Sequence, residues 1–150
     1  MKFIVIAILT LFSFDVQAQD AQVPKGYWLT ENERAVIHVQ NCDESVCGRI
    51  HWIIDGGLQF DEFNPDINRQ KDPLCGREIM SGFTQSQYDD QKWGGGEIYK
   101  ADEGDTYSAN LTMQGGDKMK VRGYMGISLL GKSQIWTRVS KNKYQKCKVP

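Results

Sequence analysis

Strict two-residue alternation of apolar and polar side chains constrains this chain more than any other feature. From Thr106 to Met113, Tyr107, Ala109, Leu111 and Met113 fall on one face and Thr106, Ser108, Asn110 and Thr112 on the other. A half-buried strand satisfies that pattern and a helix does not. The same reading gives strands near Trp93–Lys100, Lys118–Tyr124 and Lys132–Val139, separated by the short turns Ala101-Asp102-Glu103-Gly104-Asp105 and Gln114-Gly115-Gly116-Asp117. Links that short connect antiparallel neighbours. In the first half, strands are expected near Gly26–Leu29, Arg34–Gln40, Val46–Ile54 and Glu78–Thr84. About eight strands in one meander predict an all-β domain, a single antiparallel up-and-down barrel whose closure removes the exposed edges. The alternative is a two-sheet sandwich. One segment, Asp55–Arg77, breaks the pattern with Gly, Asp, Asn and Pro and is expected to form a long loop with one helical turn at most. Gly123, Gly126 and Gly131 around Tyr124–Leu130 point to a tight corner.

Residues 1–18 have the form of a secretory leader: Lys2, an apolar run from Phe3 to Phe14, and the small-residue site Val16-Gln17-Ala18. The run is shorter than the roughly 20 residues that span a bilayer. The mature part, 19–150, is then one soluble domain, expected in the periplasm or released outside the cell. Charges nearly cancel, with a formal net charge of -1, so the broad basic field of a nucleic-acid binder is missing. The tail Lys141–Lys148 carries four lysines and is read as a solvated segment that protects an edge strand.

Cys42, Cys47, Cys75 and Cys147 form an even set in an oxidising compartment, which favours disulfides over a zinc site, and no C-x2-C pair occurs. Three pairings are open. The polar turn Asp43-Glu44-Ser45-Val46 between two alternating runs favours Cys42 with Cys47, and hence Cys75 with Cys147.

Residues suited to catalysis are sparse. His38 and His51 stand in no metal-binding spacing, and no G-x-S-x-G elbow is present. Oxygen-bearing side chains gather in Asp61–Asn68, but Arg69 stands where an EF-hand needs Gly and Cys75 where it needs Glu. Asn64-Pro65-Asp66 reads instead as a turn bonded to its own backbone. No catalytic residue, metal or cofactor is therefore assigned. Aromatic rings are the better clue, since Trp28, Trp52, Trp93 and Trp136 lie on four different expected strands. Such rings pack a core or grip an apolar ligand. Barrel closure would bring the first and last strands together, so that Trp28 and Arg138 stack.

Several clusters in order, Gly26-Tyr27-Trp28, Cys47-Gly48-Arg49-Ile50, Asn64-Pro65-Asp66 with Arg69, Trp93 with Gly95-Gly96, Tyr107-Ser108-Ala109, Val121-Arg122-Gly123-Tyr124, Leu130-Gly131 and Trp136-Thr137-Arg138, resemble the exported bacterial family called domain of unknown function 2147. The G-x-W start and late Arg are also similar to the calycin group of lipocalins and fatty-acid-binding proteins. What the resemblance implies is a secreted β-barrel without an assigned activity that holds a ligand. The expectation is thus a small apolar or amphipathic molecule bound by Trp28, Trp52, Tyr107, Trp136 and Arg138. An envelope structural or protein-interaction domain is the alternative, followed by a hydrolase built on the Asp61–Asp66 loop.

Overall fold

The computed structural model describes residues 23–150, so the leader read over residues 1–18 lies outside them. Eight strands follow one another: β1 (Gly26–Leu29), β2 (Ala35–Cys42), β3 (Ser45–Ile53), β4 (Glu78–Gln85), β5 (Lys92–Lys100), β6 (Asp105–Met113), β7 (Lys118–Tyr124) and β8 (Lys132–Val139). Each is antiparallel to the next, and β1 pairs with β8 to close the barrel. No two-sheet sandwich forms. The parity expected for β6 is observed, with Ala109, Leu111 and Met113 buried and Thr106 and Ser108 exposed. The long loop 54–77 contains a single 3-10 turn, Ile67–Arg69. The corner expected after β7 takes up a further such turn at Ser128–Leu130.

One cationic side chain gathers several contacts at the β1–β8 seam. Trp28 and Arg138 are register partners, and the guanidinium lies 4.3 Å from the centre of the Trp28 ring. Arg138 also donates hydrogen bonds to the carbonyl oxygens of Val23, Lys25 and Gly116, tying the segment before β1 to the turn between β6 and β7. Gly26 explains the spacing of the first motif. Its φ is +132°, and a Cβ there would fall 2.5 Å from Nη1 of Arg138. Gly26→Ala is accordingly expected to cost about 1–3 kcal/mol through backbone strain and overpacking. Urea unfolding with an unchanged m-value checks this.

Both disulfides pair as expected, Cys42 with Cys47 and Cys75 with Cys147. The first staples the β2–β3 hairpin, and the second fastens the tail. Because the barrel is closed, no edge strand remains for the tail lysines to protect. The tail instead straps the outer face of the first three strands. Cys147 N–H donates to the His51 carbonyl at 2.8 Å, His51 Nε2 lies 3.1 Å from the Tyr144 carbonyl, and Tyr144 meets the edge of Trp52. Beneath it Tyr27 stacks on His38, with ring centroids 4.4 Å apart.

Burial, then the neighbouring His51, Lys141 and Lys146, hold the His38 imidazole below its ordinary value. The folded state therefore takes up this proton less readily than the unfolded chain. Its contribution is present above about pH 6.5 and is lost as pH falls through the depressed folded value. Thermal midpoints should fall on acidification from neutrality, and His38→Gln should reduce the dependence. An unchanged pH profile in that variant would contradict the assignment.

Candidate functional site

The barrel is filled at one end and hollow at the other. Trp28, Phe83, Trp93, Leu111, Met113 and Met119 are all less than 5% exposed and pack the end near the N-terminus of β1. Toward the opposite end, where the β1–β2, β3–β4, β5–β6 and β7–β8 loops gather, lies a cavity of about 460 Å³. That volume lies in the range of small-molecule sites. Its wall is aliphatic, with Ile37, Ile50, Ile79, Ile98 and Val121 pointing inward beside Trp136. Leu58 and Leu74 from the long loop cover one side.

Most of the polar lining gathers at the rim. Tyr107 donates its hydroxyl to Glu103, which also pairs with Lys100. The hydrogen bond to Glu103, with burial second, pushes the Tyr107 phenol up to about 12, so it stays a neutral donor at physiological pH. Arg34 and Lys132 also line the mouth and make no ion pair among the described residues. At the base, Trp136 Nε1 donates to Gln134 at 2.9 Å.

The long loop is held on the barrel by a buried carboxylate. Asp61 is fully buried and accepts from Tyr99 at 2.6 Å, from Asn64 and from Arg77 at 2.9 Å. Arg77 in turn lies over the Tyr99 ring. Burial and the Asp61 carboxylate push the Tyr99 phenol up to about 12. Within the loop, Phe60 pairs with Pro73, and the Asn64 and Asp66 side chains accept from nearby backbone amides, as expected of an Asn-Pro-Asp turn. Gly104, with φ +74°, lets the loop approach closely, since a Cβ there would lie 1.9 Å from the Phe63 carbonyl oxygen.

Of the residues singled out in the sequence, Tyr107 and Trp136 line the cavity. Trp28 and Arg138 lie together at the filled end, and Trp52 packs against Tyr144 of the tail. None of these three reaches the cavity lining. Nor do Asp61, Asp66 or Arg69. The aliphatic wall, above all Ile98 and Val121, was missed by a reading that followed aromatic rings. Among the described residues, the single cluster of metal-ligating side chains, Cys42, Cys47 and Glu78, has both sulfurs in a disulfide.

A family model described as "Uncharacterized protein conserved in bacteria (DUF2147)" matches residues 26–138. Among solved structures, the chain is similar to one described as "Protein HP1028 from the human pathogen Helicobacter pylori belongs to the lipocalin family". The TM-score is 0.70 at 17% identity, covering 79% of this chain and 84% of that one. At such identity the likeness is one of fold. No curated protein matches the chain.

Proposed function

Since the chain belongs to the DUF2147 family of uncharacterized bacterial proteins and has a lipocalin-like barrel, we propose that it binds one small, largely apolar or amphipathic molecule in the hollow half of that barrel. The observation that carries this reading is the division of the interior. One end is packed solid, whereas the other keeps an aliphatic cavity of about 460 Å³ open beneath a polar rim. Each 100 Å² of apolar ligand surface buried there would contribute about 2.5 kcal/mol. Arg34 and Lys132 at the mouth are placed to meet an anionic or polar headgroup through charge-assisted hydrogen bonds. The binding residues under this proposal are Ile37, Ile98, Val121, Trp136 and Tyr107, with Arg34 and Lys132 at the rim.

The proposed setting is the periplasm, reached through the leader in residues 1–18. Two disulfides fit an oxidising compartment. A hydrolase based on the Asp61–Asp66 loop has less support. The Asp61 carboxylate is occupied by three donors and does not line the cavity.

Native mass spectrometry of chain purified from its host without denaturant tests the proposal, together with tryptophan fluorescence across a panel of fatty acids and lipids. A bound adduct of one small molecule per chain, or a saturable fluorescence change, is expected. Adduct-free protein that responds to nothing in the panel would overturn it.

A further inference from the structure

We propose that the outer wall of the barrel carries a second ligand site, a basic hollow over β5, β6 and β7 that takes the phosphate group of a small polar phosphomonoester. Cross-strand register builds it. Thr112 of β6 stands between Lys92 of β5 and Lys120 of β7, and on the next outward row Asn110 pairs with Arg122. The intervening Trp93, Leu111 and Val121 belong to the buried core. Together with Ser86 and Gly94, the outward side chains line a hollow of about 330 Å³, at the small end of the range for ligand sites. Gly94 keeps it open, since a Cβ there would fall 3.1 Å from Oδ1 of Asn110. The hollow shares no lining residue with the apolar cavity.

Charge selects the ligand. Strands stand about 4.8 Å apart and rise about 3.3 Å per residue, which sets the Cα atoms of Lys92 and Lys120 about 10 Å apart and Arg122 about 7 Å along β7 from Lys120. Among the described residues, no carboxylate lines the hollow. Asp89 pairs with Lys92 at 2.8 Å, Asp90 belongs to the same turn before β5, and Glu97 stands one outward row beyond Asn110, opposite Ser108. An anion set among three cationic groups this close is attracted by all of them and relieves their mutual repulsion. Donors to hold it are in place. Arg122 is engaged by Ser133 and the Leu129 carbonyl and contributes its charge. Lys120 makes no ion pair, and the Thr112 hydroxyl and Asn110 amide make no side-chain hydrogen bond, among the described residues, although all three are half-buried. An ammonium, a hydroxyl and an amide facing one hollow can each donate to a phosphate oxygen. A phosphomonoester carries close to two negative charges near neutrality, which suits this set better than a singly charged carboxylate.

Chemical-shift titration of the 15N-labelled mature chain tests the site with inorganic phosphate, glucose 6-phosphate and glucose, each against sodium chloride at matched ionic strength. Glucose 6-phosphate should shift the amides of Asn110, Thr112 and Lys120 saturably, phosphate should shift the same amides, and glucose should leave them unmoved. T112V/K120Q should weaken the response at least tenfold with an unchanged circular dichroism spectrum. N110A, which keeps every charge, should weaken it as well. Dihexanoyl phosphatidic acid, added below its micelle concentration, separates the sources of the phosphate group. If it displaces glucose 6-phosphate, the site takes a lipid headgroup; if it does not, the site takes a soluble phosphate ester. Binding of a brominated medium-chain fatty acid should be unaffected by T112V/K120Q, so this site and the cavity can fail separately. Shifts that chloride reproduces, shifts that never saturate, or a T112V/K120Q variant that responds like wild type would overturn the proposal.

Discussion

Asp61→Ala is expected to lower stability by about 3–5 kcal/mol, the range for removing one partner of a buried ion pair. The substitution leaves the Arg77 guanidinium, which is only 15% exposed, without its close carboxylate, because Asp72 lies 3.9 Å away. It also removes the acceptor of the Tyr99 hydroxyl and leaves the Asn64 amide with only its longer contact, 3.4 Å to Tyr99. The cost should appear as a fall in thermal midpoint of roughly 10 °C or more for a domain of this size. Because these contacts join the long loop to β5, amide exchange should accelerate chiefly between Leu58 and Leu74. Uniform acceleration through β6 and β7 would show instead that Asp61 supports the whole barrel. A variant as stable as wild type would contradict the clamp outright.

Gly123→Leu is expected to abolish most cavity binding while leaving the barrel intact. The atoms nearest a Cβ at Gly123 belong to Tyr107 and Ile98, at 3.5 and 3.8 Å, which are ordinary packing distances. No positive φ opposes a side chain there. The isobutyl group would then occupy the volume in which a ligand packs. Loss of one leucine-sized patch of burial corresponds to about 2–3 kcal/mol, or roughly 30- to 150-fold in affinity. Quenching of Trp136 by a brominated medium-chain fatty acid measures it. Equal affinity in the variant and wild type would place the ligand elsewhere.

Strand parity made much of the fold legible, because alternation in β6 and the short turns after β5 and β6 admit little besides an antiparallel meander. Closure was legible from Gly26-x-Trp28 and Arg138, whose geometry requires the first and last strands to meet. The cavity was less so. Parity says that Tyr107, Ile98 and Val121 share a face with Leu111 and Met113, but not at which height along the barrel side chains stop filling the interior. That boundary depends on how Phe83, Trp28 and Met119 interdigitate across strands far apart in sequence. Trp52 misled for a local reason. The register shift between Val36 and Ile37 inserts one residue into β3, so Ile50 faces inward and Trp52 pairs with Val36. The tail then covers it through Tyr144. Asp61 was visible as a loop carboxylate, yet its burial follows from Arg77 and Tyr99, which no spacing joins to it.

A crystal structure of the mature chain soaked with a brominated medium-chain fatty acid, with the bromine located by anomalous scattering, shows where such a ligand sits. Bromine is expected inside the hollow half, among Ile98, Val121 and Trp136, with the carboxylate toward Arg34 or Lys132. Side chains collapsed into that space, or bromine found only on the outer surface, would contradict it.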